Sequence, residues 1–140
     1  MTDTSLTNES GAPDEDPAMA KKVLVVEDDL LNRMFYSAVL EGKGYEVAFV
    51  HDGAQVLAEV DRFAPDLITM DIHLPSISGL ELIKRLQRDA RKRKIPILAI
   101  TGFAGKNEEA RIRRAGARGY LAKPVSVAKL TTEIEALLSV

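Results

Sequence analysis

Five short, largely apolar runs recur along the chain, and they constrain its fold more than any other feature. They are VLVV at 23–26, VAFV at 47–50, LITM at 67–70, ILAI at 97–100 and YLA at 120–122. Each run is continuous rather than alternating with polar residues, as is typical of a parallel sheet whose two faces are both covered by helices. The runs therefore predict five buried parallel strands.

Segments with helical periodicity separate these runs. Three segments carry an apolar stripe of the kind that an amphipathic helix turns toward a core. The stripes are Leu31, Met34, Phe35, Ala38 and Val39; Val56, Leu57, Val60 and Phe63; and Val127, Leu130, Ile134 and Leu137. Less regular patterns predict helices at 79–90 and 107–115. The alternation predicts an α/β fold of (βα)5 type: a doubly wound, parallel, five-stranded sheet of flavodoxin-like topology with strand order 2-1-3-4-5.

Composition divides the chain into two parts. At 140 residues, 46% of them hydrophobic, the chain can bury one core, and we expect one folded domain at residues 21–140. Residues 1–20 contain five acidic side chains, no Lys or Arg, and few large apolar residues. Such a segment does not recover its ordering entropy by burial, so we expect a disordered acidic tail.

Several classes of function are disfavoured by composition. The chain has no cysteine, which excludes disulfides, thiolate metal sites and a cysteine nucleophile. Its formal net charge of -2 indicates no general attraction to nucleic acid or to an anionic membrane, and we expect neither as a partner. No signal peptide or membrane-spanning apolar stretch is evident, so we expect a cytoplasmic protein.

Acidic residues follow the first and third predicted strands. Glu27, Asp28 and Asp29 come after the first strand, and Asp71 comes after the third. In a doubly wound sheet these two strand ends meet where the strand order reverses, which is where ligands bind. Converging carboxylates repel one another unless a cation neutralises them, and oxygen-only ligands favour Mg²⁺. The alternative, that Asp28 or Asp29 only caps the first helix, stays open at this stage.

A hydroxyl and an ammonium group mark the ends of the last two strands. Thr101 ends the fourth run, and Lys123 follows the fifth. Beside a metal and a carboxylate, a hydrogen-bond donor and a compact positive charge are what a bound phosphoryl group needs. Each has a simpler alternative, since Thr101 could cap the fourth helix and Lys123 could be a solvated strand end. Together with the acids they favour a phosphoryl site.

Four motifs carry a resemblance to a known family over residues 21–140. They resemble the receiver domain of response regulators in two-component signalling. The motifs are VLVVEDD, LITMDIHLPSISGLEL, ILAITGFA and GYLAKPVS. Within this family, the motif sequences are most similar to those of single-domain cell-division regulators of the DivK type. The resemblance implies that Asp71 is the phosphoacceptor and that Glu27 and Asp28 bind Mg²⁺ with it. The backbone carbonyl of His73 would complete the protein ligands, and Asp29 would lie outside them.

The resemblance also implies how the phosphoryl group is bound and sensed. Thr101 and Lys123 would contact the phosphoryl oxygens, Tyr120 would be the aromatic switch residue, and Lys123-Pro124 would be a cis peptide bond. The phosphoryl group would come from a sensor histidine kinase or a histidine phosphotransfer protein. We expect the output to be contact of the fourth and fifth helices and fifth strand with a downstream protein. Chemistry beyond self-catalysed phosphotransfer and autodephosphorylation is not expected.

Three other classes of protein fit the sequence less well. A receiver-like scaffold that works without phosphorylation usually lacks the acceptor, the acid pair or the lysine, and all are present here. A phosphohydrolase with an aspartyl nucleophile predicts a second acid two residues after Asp71, where this chain has His73. A dinucleotide-binding domain needs a glycine-rich turn after the first strand, and the sequence there is EDDLLN.

Overall fold

The structure is a computed structural model that describes residues 20–103, 105 and 107–139, so nearly all of the predicted tail lies outside the described residues. The strands are β1 (Lys22–Val26), β2 (Glu46–Val50), β3 (Leu67–Asp71), β4 (Ile97–Thr101) and β5 (Gly119–Ala122). The helices are α1 (Leu30–Gly42), α2 (Val56–Phe63), α3 (Gly79–Arg88), α4 (Glu108–Ala115) and α5 (Val127–Leu138), with short 3₁₀ turns at Gly53–Gln55 and Lys92–Lys94. In the described part of the chain, no helix is long and apolar enough to span a membrane.

The five strands form one parallel sheet in the order β2-β1-β3-β4-β5, which confirms the predicted fold class and strand order. β1 pairs with β2 on one side and with β3 on the other. The order of the strands therefore reverses between β1 and β3, and a crevice opens beyond their carboxyl ends. Every acidic residue predicted to form the site follows or ends one of these two strands.

Two separate apolar cores explain why the strand sequences are continuous runs. In β1, Leu24 and Val26 pack on the side covered by α2, α3 and α4. Val23 and Val25 pack on the opposite side, with side chains of α1 and α5. Because successive side chains of a strand point to opposite faces, both sets of positions must be apolar.

The apolar stripe that was predicted as the buried face of α1 is mostly exposed, so this prediction is wrong. Leu31 is 75% exposed and Met34 is 58% exposed. Phe35 and Ala38 are also exposed, and Val39 is partly buried. By contrast, the predicted stripe of α2 and the centre of the predicted stripe of α5 do face the core.

The face of α1 that packs on the sheet is the opposite one. Tyr36, Ser37 and Leu40 are buried, and Arg33 is partly buried on the same side. These positions have the i, i+3, i+4, i+7 spacing of a helix face, but two of the four are polar. A prediction based on apolar periodicity therefore selected the stripe on the far side of the helix.

Substitutions on the two faces of α1 should differ in cost. We expect Leu40→Ala to lower the free energy of unfolding by about 3 kcal/mol, because it leaves a cavity beside the sheet. Leu31→Ala removes the same atoms from an exposed position and should change stability by less than about 0.5 kcal/mol. Urea denaturation of both variants measures the difference. Equal losses would show that the outward stripe is buried after all.

Candidate functional site

Three of the predicted acids converge at the carboxyl edge of the sheet. Glu27, just after β1, is 1% exposed, and Asp71, the last residue of β3, is 3% exposed. Asp28 is exposed at the rim of the crevice. One carboxylate oxygen of each of the three lies within 4.8 Å of the others. The strand ends thus bring together carboxylates that are 44 residues apart along the chain.

The helix-cap alternative applies to Asp29 and not to Asp28. The Asp29 side chain accepts a hydrogen bond of 2.9 Å from the backbone N–H of Asn32, which makes Asp29 the N-cap of α1. Its own N–H donates to Oε2 of Glu27 at 3.1 Å. Asp29 therefore fixes the start of the helix and one oxygen of Glu27, and leaves Asp28 at the crevice.

Arg33 bonds the main chain of residues 27–29, which we call the acidic turn, and this contact was not predicted from the sequence. Its Nη1 donates to the backbone carbonyls of Glu27 at 3.1 Å and of Asp28 at 3.0 Å. The guanidinium also lies over the ring of Phe49, 5.8 Å from its centroid. No sequence pattern identifies a side chain that bonds main-chain oxygens in the preceding loop. In the sequence, Arg33 is only a polar position between apolar ones.

Gly79 allows α3 to begin directly against the end of β3. A Cβ atom at this position would lie 2.3 Å from the backbone oxygen of Asp71, far too close for any larger residue. The Gly79 N–H donates to the carbonyl of Ile72 at 2.9 Å, and Ser78 caps the helix by accepting from the N–H of Glu81. This close approach fixes the loop that follows Asp71.

Lys123 reaches both buried acids from the end of β5. Its Nζ lies 3.2 Å from Oε1 of Glu27 and 3.6 Å from Oδ2 of Asp71. The Lys123-Pro124 peptide bond is cis, as the resemblance implied. The side chain is therefore a bound charge within the crevice and not a solvated strand end.

The charges in the crevice are only partly balanced by protein groups. Burial, and next the carboxylate of Glu27, raise the pKa of Asp71 to about 7, although the Lys123 ammonium and the His73 N–H act in the opposite direction. Oε1 of Glu27 is buried and accepts no hydrogen bond from the described part of the chain. The Lys123 ammonium lies 3.2 Å from this oxygen, but not in hydrogen-bond geometry. An oxygen-only set with an unsatisfied buried carboxylate oxygen fits a divalent cation such as Mg²⁺.

Thr101, the last residue of β4, has a fully buried hydroxyl group with several neighbours. The N–H of Phe103 donates to its Oγ1 at 3.0 Å, and Nε2 of His73 lies 3.1 Å from the same oxygen. Oε2 of Glu108, the first residue of α4, lies 3.4 Å away. Thr101 does not cap α4, which begins after Asn107. The contacts of the His73 imidazole and of Glu108 were not predicted from the sequence, where His73 was expected to act only through its backbone carbonyl.

Tyr120 lies in β5, which is an edge strand of the sheet. Its side chain is partly buried and packs against the core on the α2, α3 and α4 side. It also lines an open groove of about 480 Å³ between β5 and α5. Burial, and then the charges of Glu108 and Glu109, raise the pKa of its phenol group. The residue is thus held at a surface formed by α4, β5 and α5.

Comparison with known proteins gives one consistent result. The family model for the response regulator receiver domain matches residues 23–135. The polar-differentiation response regulator DivK of Brucella ovis is 42% identical over 120 residues, which are 86% of this chain and 98% of that protein. A CheY-like response regulator receiver domain protein from Methanospirillum hungatei has a TM-score of 0.80 and 28% identity, over 86% of this chain and 94% of the other.

A second solved structure bears on the metal. The receiver domain of the sensor histidine kinase PA1611 from Pseudomonas aeruginosa has a TM-score of 0.79 and 30% identity to this chain. The similarity covers 86% of this chain and 99% of the other. That structure has a magnesium ion coordinated in its active-site cleft.

The raised pKa of Asp71 predicts how stability depends on pH without divalent cations. The unfolded chain releases this proton near pH 4, whereas the folded protein keeps it until about pH 7. The stabilising contribution is therefore complete below pH 4 and is lost as the pH rises toward 7 and above. Thermal unfolding in a chelator should show wild-type stability falling through this range relative to Asp71→Asn.

At pH 8 the Asp71→Asn variant should be more stable than the wild type by up to about 4 kcal/mol, because the buried charge is gone. Adding Mg²⁺ should stabilise the wild type at this pH and reduce the difference. Parallel pH curves for the two proteins in the chelator would contradict the prediction.

Proposed function

This chain belongs to the response regulator receiver domain family, and from that premise we propose that it accepts a phosphoryl group on Asp71. The donor is the phosphohistidine of a sensor histidine kinase or of a histidine phosphotransfer protein. The observation that carries the proposal is the buried Asp71 carboxylate, which lies beside two further acids and within 3.6 Å of the Lys123 ammonium. The function is that of a phosphoacceptor in signalling rather than an enzyme with a separate substrate.

The transfer is an in-line displacement at phosphorus. An oxygen of the ionised Asp71 carboxylate forms a bond to phosphorus while the phosphorus–nitrogen bond to the donor histidine breaks, and the electron pair of that bond stays on the imidazole nitrogen. The transition state is loose, so positioning and charge neutralisation do most of the work. The product is an aspartyl phosphate.

We assign the metal ligands to Glu27, Asp28, Asp71 and the backbone carbonyl of His73. A bound Mg²⁺ would supply charge neutralisation for the acids and for the phosphoryl oxygens. The fit rests on the oxygen-only set and on the unsatisfied Oε1 of Glu27. Arg33 and Asp29 keep the acidic turn in place, since they bond its main chain and Glu27 without entering the crevice.

Lys123 supplies the protein's own positive charge. Before transfer its Nζ neutralises the carboxylates of Glu27 and Asp71. After transfer the same ammonium is close enough to pair with a phosphoryl oxygen on Asp71, and the Thr101 hydroxyl would donate to another. The incoming negative charge is thus met by groups already present in the crevice.

The donor protein would dock on the outward face of α1. Leu31 and Met34 lie exposed on this helix, and Phe35 lines a groove of about 450 Å³ that continues to Lys123 and Pro124. A phosphohistidine must enter the crevice beside Lys123, so a donor that covers this groove also covers the apolar face of α1. Burial of these side chains would then provide binding free energy.

Output would pass through the surface formed by α4, β5 and α5. Movement of Thr101 toward the phosphoryl group would leave space that Tyr120 can fill by rotating, and the groove beside β5 would change shape. The partly buried position of Tyr120 between the core and this groove supports its role as the switch. A downstream protein would distinguish the two states by their surfaces.

Asp71 should be the site of phosphorylation. With Mg²⁺ and acetyl phosphate, the protein should gain one phosphoryl group that is stable in neither strong acid nor base, and Asp71→Asn should gain none. Intact-protein mass spectrometry, followed by borohydride reduction to locate the acyl phosphate, measures this. Equal labelling of Asp71→Asn would show that another residue is the acceptor.

Adjacent acids should separate metal binding from helix capping. Asp28→Ala should abolish Mg²⁺-dependent phosphorylation and leave stability nearly unchanged, because Asp28 is exposed. Asp29→Ala should lower the free energy of unfolding by about 1 kcal/mol through loss of the N-cap, and should still bind Mg²⁺. Calorimetric Mg²⁺ titration and urea denaturation test the pair, and an exchange of the two phenotypes would refute the ligand assignment.

A further inference from the structure

Glu108 is a buried carboxylate that phosphoryl transfer does not use. Its side chain is 5% exposed, although it begins a short surface helix. Its Oε2 accepts a hydrogen bond from the Thr101 hydroxyl and lies 3.8 Å from Nε2 of His73, while Oε1 lies 3.8 Å from a guanidinium nitrogen of Arg111. Burying a carboxylate costs free energy unless such groups surround it, so these contacts define where Thr101 and α4 can sit.

All hydrogen-bonding positions of the Thr101 hydroxyl are already occupied in this arrangement. A hydroxyl has one proton to donate and two lone pairs that accept. The N–H of Phe103 and, when its Nε2 carries the proton, the imidazole of His73 occupy the two acceptor positions. The hydroxyl proton is shared between the Phe103 carbonyl at 3.3 Å and the Glu108 carboxylate at 3.4 Å. A donation to a phosphoryl group on Asp71 must therefore break part of this set.

We infer that Glu108 is a positioning residue that, with the His73 imidazole, holds the Thr101 hydroxyl in its unphosphorylated position and ties that position to the first turn of α4. The inference rests on the proposed function of Asp71 as phosphoacceptor. The contacts among His73, Thr101 and Glu108 join three parts of the fold: the loop after β3, the end of β4 and the start of α4.

Release of this contact has a direct consequence for α4. When the Thr101 hydroxyl turns to a phosphoryl oxygen, Glu108 loses its hydrogen-bond donor while it is still buried. Arg111, three residues further along the same helix, is exposed, and it can pair with the carboxylate when the Glu108 side chain turns outward. Glu108 thus sets part of the free-energy difference between the two states and couples the first turn of α4 to the position of Thr101.

A double-mutant cycle with a phosphoryl mimic tests the inference. The affinity of beryllofluoride with Mg²⁺ is measured by ¹⁹F NMR for the wild type, Glu108→Ala, Thr101→Ala and the double variant. We expect Glu108→Ala to bind the mimic about three- to tenfold more tightly, the equivalent of one hydrogen bond that no longer has to break. In the Thr101→Ala background the same substitution should have no effect. Affinity for Mg²⁺ alone should be unchanged throughout.

Glu109 provides a matched control. It occupies the next position of α4, is exposed and pairs with Arg113 at 2.9 Å. Glu109→Ala removes the same atoms from the same turn and should leave the affinity for the mimic unchanged. Glu108→Gln, which keeps an oxygen to accept from Thr101, should return the affinity most of the way to that of the wild type.

Two results would overturn the inference. One is that Glu108→Ala changes the affinity for the mimic equally in the wild-type and Thr101→Ala backgrounds. The other is that Glu109→Ala changes this affinity as much as Glu108→Ala does. If Glu108→Ala does not fold, His73→Ala in the same cycle tests the other contact of the hydroxyl, and additivity with Thr101→Ala would again overturn it. A wild-type protein that binds Mg²⁺ but not the mimic would instead contradict the proposed function itself.

Discussion

Burial of negative charge is the constraint on which the rest of this structure depends. Glu27 directly follows β1 and Asp71 ends the adjacent strand β3, both with almost no exposure to water, and mutual repulsion works against keeping both ionised. Three neighbouring groups reduce that cost: Lys123 brings an opposite charge, and the backbone N–H groups of Asp29 and His73 donate to the carboxylates. The remaining imbalance is the reason why we propose that the crevice binds a cation and a phosphoryl group.

The parallel sheet could be predicted because its physical requirement is visible in the sequence. A strand with helices on both faces is expected to be mostly apolar along its whole length, and β1, β3 and β4 are, apart from Lys22 at the start of β1, Thr69 in β3 and the polar residues that enter the crevice. Helix α1 could not be predicted in the same way. Its buried face contains Arg33 and Ser37, and its more apolar face lies in solvent, so periodicity alone selected the wrong side.

The candidate site divides along a similar line. Glu27, Asp28, Asp71, Thr101 and Lys123 could be placed together because strand order fixes which strand ends meet. The contacts of Arg33, Glu108 and the His73 imidazole could not, since they join side chains to main-chain oxygens or to one hydroxyl across the fold. Such contacts depend on the distance between elements after packing, and no spacing along the chain encodes that distance.

The outward face of α1 separates two tasks that many helices must perform with the same residues. Its inward residues hold the helix to the sheet, while Leu31 and Met34 contribute little to the core. If donor proteins dock there, partner choice can change through substitutions at a few exposed positions while the folded state keeps its stability. A cell with many such domains can therefore insulate its signalling pathways from one another by varying a small recognition surface on a common scaffold.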